Sequence, residues 1–273
     1  MKSIDNAPLV SIIMPAYNQA RYVGEAIESV LRQSYPYWEL VIVDDGSPDN
    51  VADIVKGYGD NRIQFYHTDN HGVSAARNFG IRHSHGSYIL PLDADDKIAP
   101  TYVESCVNSF LSDPTITLVY CKWKWFGKAH HTPALEYKGY RSLLCENSIF
   151  CSAMFKREDF ESTVGYDENI PYGYEDWEFW IRMLDGKSKV VQLQETLFYY
   201  RRTASSRSLS ADIPERNRIT MRYIYHHNRE KYDKYFPDIL TDLNELAYLR
   251  RRTEKWKHRS LASRLWKAIR AEL

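Results

Sequence analysis

The stretch Ser87-Tyr-Ile-Leu-Pro-Leu-Asp-Ala-Asp-Asp96 decides how the chain is read. Its apolar run, Tyr88-Ile89-Leu90, passes through Pro91 and Leu92 into three carboxylates, Asp93, Asp95 and Asp96. Such a run suits a buried strand. Ending it in acids carries negative charge to the mouth of a sheet, where open α/β sheets bind ligands. Carboxylates this close repel one another, so the arrangement calls for a cation, and hard divalent ions take oxygen ligands. Singly, Asp96 reads equally well as the cap of a following helix.

Upstream, Leu9-Val-Ser-Ile-Ile-Met14 is a β-rich run stopped by Pro15. Tyr22, Val23, Ala26, Ile27, Val30 and Leu31 recur at helical spacing, which predicts an amphipathic helix over 22–34. A second strand, Glu39–Val43, runs into Asp44-Asp45-Gly46-Ser47; a helix over 50–57, a strand Arg62–Tyr66 and a helix Ser74–Arg82 follow. Alternation at this pitch predicts an α/β fold with a mostly parallel, doubly wound sheet flanked by helices. Downstream the expectations are a helix over 101–111, a strand Ile116–Cys121 and a weakly periodic region, 122–147, with Trp123, Trp125, His130 and His131. A strand Ile149–Lys156, a helix Tyr174–Leu184 and strands Lys189–Leu193 and Thr196–Tyr200 complete the sheet region. Helices broken near Pro237 are expected from Asp212 onward, so the chain divides into residues 1–210 and a helical extension, 211–273.

Composition narrows the partners. At 273 residues with 44% hydrophobic and 26% charged residues, the chain can bury a full core. No run approaches the ~18 apolar residues that cross a bilayer. Met1–Pro8 lacks the apolar core of a signal peptide, so the expected compartment is the cytoplasm. Cys106, Cys121, Cys145 and Cys151 form no C-x-x-C pair and read as reduced thiols. A formal net charge of zero argues against nucleic acid. That zero hides nine Lys/Arg against two Glu in residues 246–273. There Trp256, Leu261, Leu265, Trp266 and Ile269 interleave with basic residues, as in a helix that folds onto its own domain or lies on anionic lipid.

Four features carry chemistry. Pro15-Ala-Tyr17-Asn18 ends a strand with a ring able to stack on a planar base and with backbone N–H groups for phosphate. Asp44-Asp45-Gly46-Ser47 offers a carboxylate for a base N–H, or simply a turn. In Asn70-His-Gly-Val-Ser-Ala-Ala-Arg77-Asn78-Phe-Gly80, small residues allow a close helix, and Arg77 brings a planar fork that suits a diphosphate. With Asp93-x-Asp95, these describe a pocket for a nucleotide diphosphate and its metal. His83-Ser-His85 reads as a polar loop.

Taken in register, Val10-Ser-Ile-Ile-Met-Pro-Ala-Tyr-Asn18, Val41-Ile-Val-Asp-Asp-Gly-Ser47, Gly72–Gly80 and Leu92-Asp-Ala-Asp-Asp96 resemble the family 2 glycosyltransferases of the GT-A fold, over about residues 9–202. The resemblance implies that Pro15, Tyr17 and Asp45 hold the nucleobase, uracil, with Asn18, Arg77 and Ala94 also in the nucleotide-sugar site. It implies Asp93 on the ribose or sugar and Asp95, with Asp93, on Mn²⁺ or Mg²⁺. It implies an inverting transfer, in which an acceptor hydroxyl attacks the anomeric carbon directly. In Tyr172-Gly-Tyr-Glu-Asp-Trp-Glu-Phe-Trp180 an acid pair sits among aromatics that can floor a sugar ring, or simply opens a helix whose dipole favours acids. The Glu-Asp motif of the family falls on Glu175-Asp176, which implies Asp176 as general base and Glu175 positioning the acceptor or orienting the helix. Many relatives carry a metal-binding His after the final Tyr-Arg, where Tyr199-Tyr200-Arg201-Arg202-Thr203 offers Arg202 and Thr203. Three readings stay open: a metal held by Asp95, phosphate oxygens and water alone, a loop bringing a ligand from elsewhere, or Arg201 and Arg202 at the diphosphate doing part of the work of the cation.

The expected partners are a nucleotide-diphosphate sugar, a saccharide or lipid-linked saccharide acceptor, and an anionic membrane surface at the inner face of the cell, in surface polysaccharide or lipopolysaccharide synthesis. Nucleotidyl transfer would ordinarily show a Gly-rich first loop, which Pro15-Ala-Tyr-Asn18 lacks. A non-catalytic carbohydrate-binding protein leaves the acids unexplained.

Overall fold

The computed structural model describes residues 7–127, 136–202 and 213–257. The chain parts into two compact units, Met1–His227 and Asn228–Leu273. In the first, β1 (Val10–Ala16), α1 (Val23–Leu31), β2 (Trp38–Asp45), α2 (Val51–Lys56), β3 (Ile63–Thr68), α3 (Val73–Arg82) and β4 (Tyr88–Pro91) follow the expected alternation. Every residue of β1 and β2 is buried, as a parallel sheet covered on both faces requires. Then come β5 (Lys97–Ile98), α4 (Tyr102–Ser112), β6 (Ile116–Gly127), α5 (Tyr140–Leu143), β7 (Met154–Lys156), α6 (Arg157–Glu161), α7 (Glu175–Met183), β8 (Lys189–Arg202) and α8 (Pro214–His227).

The sheet has eight strands in the order β3-β2-β1-β4-β7-β6-β8-β5. It is parallel through β3, β2, β1 and β4. Beyond β4 it becomes mixed, because β7 runs antiparallel to both β4 and β6, and β5 antiparallel to β8. Val10, Ile12 and Met14 of β1 share a core with Ala26, Ile27 and Val30 of α1 and Val103 and Val107 of α4. Side chains alternate along a strand, and Ile13, Val41 and Val43 accordingly face α3 on the other side.

Three local expectations change. β6 continues through residues 122–127, where periodicity is weak, because it pairs in parallel with β8 as far as Gly127↔Arg202. The two strands expected over 189–200 are one, with register shifts around Lys122 that leave Gln194 and Glu195 out of the ladder. Of the strand expected at Ile149, only Met154–Lys156 forms. The unit boundary falls after α8 rather than at 210, and hydrogen bonds tie α8 to the loop before α7.

The second unit contains α9 (Arg229–Tyr235) and α10 (Ile239–Lys257), with the expected break at Pro237. Leu240, Leu243, Tyr248 and Leu249 of α10 are exposed. Among the described residues no helix is long and apolar enough to cross a membrane. Met1–Asn6, His130, His131, Thr203 and residues 258–273 lie outside the described residues.

Gly80 sets how closely α3 approaches the sheet. A Cβ there would stand 2.7 Å from Ile13 Cγ2 and 3.2 Å from Val43 Cγ2. Gly80→Val should therefore overpack this face and cost about 3 kcal/mol, despite removing a helix glycine. Urea unfolding measures it; a variant as stable as wild type would contradict the close packing.

Candidate active site

The C-terminal ends of β1, β2 and β4 deliver the predicted residues to one edge of the sheet. β1 passes from Pro15 into Tyr17, which is 48% exposed, and Asn18, whose φ of 56° turns the chain. Asn18 N donates to Ser47 Oγ (3.1 Å), which ties this turn to the one after β2. Asp45 is buried and its two oxygens accept separately, Oδ1 from His71 N (2.9 Å) and Oδ2 from Gly72 N (2.8 Å). A carboxylate has further lone pairs after two such bonds. Asp44 is a turn residue: it accepts from Ser47 N (3.0 Å) and lies 2.9 Å from His67 Nδ1.

Leu92 N donates to Ile13 O (2.9 Å), and Asp96 N closes a turn on Asp93 O (3.0 Å). Ala94 is buried inside this turn, while Asp93 and Asp95 are half-buried. Asp96 is fully buried; Arg201 N donates to its Oδ1 (2.7 Å). Burial, followed by the nearby Asp95 and Asp93, pushes its carboxyl well above the usual range. Beneath the turn, the Arg201 guanidinium lies 4.5 Å from the Tyr22 ring centroid and 4.3 Å from that of Phe126. Its Nε donates to Asp95 O (2.7 Å), and its Nη2 is 2.9 Å from Glu25 Oε2, an ion-pair contact without hydrogen-bond alignment. The structure thus packs Arg201 as a support of the acidic turn. Arg202 is half-buried, over the Trp125 ring at 4.7 Å.

Asp93, Asp96 and Cys151 bring ligand atoms within 4.8 Å of one another, a grouping that leaves out Asp95. A thiol is a poor partner for a hard ion, and burial raises the Cys151 thiol further. Asp96 is fully buried, and its Oδ1 already accepts from Arg201 N. The carboxylates that fit Mn²⁺ or Mg²⁺ by chemistry and access are Asp93 and Asp95.

Arg77 departs from its expected place on an open diphosphate site. It is 0% exposed, and its fork is occupied: Nη2 donates to Asp93 Oδ1 (2.7 Å) and Nη1 to Glu175 Oε1 (2.9 Å). Burial would discharge the guanidinium, but Asp93 and Glu175 overcome that and hold it firmly charged. One cation thereby joins the acidic turn after β4 to the first turn of α7. Asn78, one residue on, donates to Tyr166 O and Glu168 Oε1 (both 2.8 Å) and accepts from Tyr166 N (2.8 Å).

Glu175 and Asp176 open α7, where acids complement the helix dipole. Asp176 is half-buried; Trp177 N donates to its Oδ1 (2.7 Å), and Asn147 Nδ2 lies 3.3 Å from each oxygen. Burial, with the Glu175 charge adding to it, raises its pKa from 3.8 to about 7. The partners of Asn147, Asn78 and Tyr166 escaped sequence reasoning. Each meets the site only through a long-range contact, and Asn147 sits where periodicity is weakest.

A mixed sheet whose parallel strands end on an exposed tyrosine ring and clustered carboxylates is the GT-A arrangement. Residues 11–164 match the family model for glycosyl transferase family 2, and the chain belongs to that family. It is similar to an uncharacterised glycosyltransferase of Rickettsia typhi, 31% identical over 199 residues that cover 67% of this chain and 61% of that one. It is also similar to the hyaluronan synthase of Pasteurella multocida, 40% identical over 119 residues, or 43% of this chain and 12% of the synthase. The chain thus spans less than two thirds of either relative. Staphylococcus aureus TarS 1–349 in complex with UDP-GlcNAc shares the fold, with a TM-score of 0.64 and 19% identity over 84% of this chain and 73% of that one. So does the mannosyltransferase PcManGT from Pyrobaculum calidifontis in complex with GDP-Man and Mn²⁺, with a TM-score of 0.60 and 19% identity over 98% and 81% of the two chains.

Removing one partner of a buried ion pair strands the other charge. Arg77→Met should destabilise the protein by about 3–5 kcal/mol in urea unfolding. A loss near that of an exposed pair, below about 1 kcal/mol, would show that the bridge is not the brace its geometry describes.

Proposed function

We propose that the chain transfers a sugar from a UDP-sugar to a hydroxyl of a saccharide or lipid-linked saccharide, with inversion at the anomeric carbon. The observation that carries this reading is the Arg77 bridge, which sets the acidic turn at Asp93 and the α7 acids on one guanidinium. In this reading the bridge holds the donor-side turn and the acceptor-side start of α7 next to one another. TarS in complex with UDP-GlcNAc supports the donor class, and the hyaluronan synthase supports a polysaccharide product.

In this reading Tyr17 stacks on the uracil, Asp45 accepts its N–H with a remaining lone pair, and Pro15, Asn18 and Ala94 shape the pocket. Asp93 and Asp95 would hold Mn²⁺ or Mg²⁺, which when bound offsets negative charge on the diphosphate. Asp176 accepts the proton of the acceptor hydroxyl while that oxygen bonds to the anomeric carbon. The nucleoside diphosphate leaves from the opposite face with the bonding electron pair. Glu175, committed to Arg77, orients the start of α7. Arg201 acts from behind the turn, and Arg202 is the cation left for the diphosphate.

A base whose pKa is raised to about 7 is protonated, and so inactive, in acid. Transfer measured as kcat/KM should rise with pH and level off above about 7, and Asp176→Asn should lower it about 10²–10⁴-fold. The same shift means that ionising Asp176 costs the fold stability as pH climbs from its unfolded value, 3.8, towards 7. Asp176→Asn should therefore be at least as heat-stable as wild type at pH 8, which separates lost chemistry from lost structure. Undiminished turnover would remove the assignment.

The basic residues of 246–273 and the exposed Leu240, Leu243 and Leu249 support peripheral binding to an anionic membrane. The full chain should sediment with phosphatidylserine vesicles and be released by salt; equal sedimentation with neutral vesicles, or none, would contradict it.

A further inference from the structure

The chain reaches Glu175-Asp176 through three successive residues of positive φ: Tyr172 at 57°, Gly173 at 100° and Tyr174 at 64°. Glycine adopts this region freely, whereas a tyrosine crowds its Cβ against the following carbonyl. Such strain persists only where surrounding structure enforces it. Here α8 enforces it. Asn217 Nδ2 donates to the Tyr174 hydroxyl (3.1 Å), Thr220 Oγ1 to Pro171 O (2.6 Å) and the Tyr223 hydroxyl to Asp167 Oδ2 (2.8 Å). Residues 217, 220 and 223 recur along one face of the helix, and Thr220 is fully buried. From α3, Asn78 holds Tyr166 and Glu168. The segment from Tyr166 to Tyr174 is therefore clamped from two sides.

The turn sends its two rings to different surroundings. Tyr174 packs edge-on to Trp177, at 5.7 Å between centroids. Tyr172 stays 45% exposed, with the Arg216 guanidinium 5.1 Å from its ring centroid. The structure maintains two strained backbone positions and keeps an aromatic ring in solvent four residues before Asp176. The family match ends at residue 164, so this device lies outside the matched segment.

We propose that Tyr172 is the platform on which the ring of the acceptor saccharide stacks, and that α8 is the positioning element for the loop that carries it, four residues before Asp176. The inference rests on the transferase reading and adds the subsite for the acceptor. A pyranose has one face of C–H groups, which loses water on contact with an aromatic ring, while its hydroxyls project around the rim. A base works only on a hydroxyl within hydrogen-bond reach. An acceptor held by its apolar face at Tyr172 leaves those rim hydroxyls available to Asp176.

The test uses the full chain with UDP and Mn²⁺ and, as probes, methyl β-D-glucopyranoside, methyl β-D-galactopyranoside and the methyl β-glycoside of N-acetylglucosamine. Saturation-transfer NMR should show saturation reaching the ring C–H protons of at least one glycoside with wild type and with Tyr172→Phe. It should vanish with Tyr172→Gly. The glycine relieves the left-handed strain, so that variant should melt no lower than wild type, and loss of signal cannot come from unfolding. In transfer assays, Tyr172→Gly should raise KM for the glycoside about tenfold while KM for the UDP-sugar moves less than about twofold. Equal saturation of wild type and Tyr172→Gly, or none with wild type, overturns the platform. Saturation that depends on Tyr172, in a protein that turns over no nucleotide sugar, keeps the platform and removes the transferase reading.

Discussion

A guanidinium with no exposed surface must be paired, and in this protein the pairing of Arg77 fixes the site. Burying a charge is tolerated only where opposite charge and hydrogen bonds meet it. Asp93 and Glu175 do so from elements 82 residues apart in the chain, the turn after β4 and the first turn of α7. α3 presents Arg77 between them, and it lies against β1 and β2 because Gly80, one turn further on, carries no side chain. Asn78 extends the same brace to the loop before α7. One helix thus sets the spacing between the end of the sheet and the acids opposite it.

The carboxylates around the cleft divide their work by environment. Asp45 and Asp96 accept backbone N–H groups and hold turns together. Glu175 is committed to Arg77. Asp176, its neighbour, receives only an amide and one backbone N–H, and burial leaves it with a pKa of about 7. Groups poised near neutral pH in a cleft are the ones suited to moving protons. Two adjacent acids thus differ in environment, and in the proposed transfer one serves structure and the other chemistry.

The parallel half of the sheet was legible because its strands are short apolar runs punctuated by Pro15, Gly46 and the Asp93 turn, signals that act within a few residues. The convergence of Tyr17, Asp45 and Asp93 follows from that alternation, since strand ends in such a sheet share one edge. The β6–β8 pair was less legible. Its register shifts break the period of two on which strand reading relies, and its outer half carries charged and aromatic residues that do not alternate cleanly. The place of Arg77 was not legible at all. Its sequence context announces a helix near a phosphate-sized site, but whether the fork faces solvent or two carboxylates depends on Asp93, 16 residues on, and on Glu175, 98 residues on. The surroundings of Arg201 were illegible in the same way: the sequence shows a cation near the acidic turn, while the rings of Tyr22 and Phe126 that hold it are brought there by the fold.

In the proposed transfer a base stands opposite the leaving group, which forces a single displacement at the anomeric carbon. The configuration of the first product, read by proton NMR from the anomeric coupling while the transfer runs, tests that most directly. An α-linked UDP-sugar should give a β-glycoside from the first turnover. An α-linked product would contradict the placement of Asp176 and the mechanism built on it.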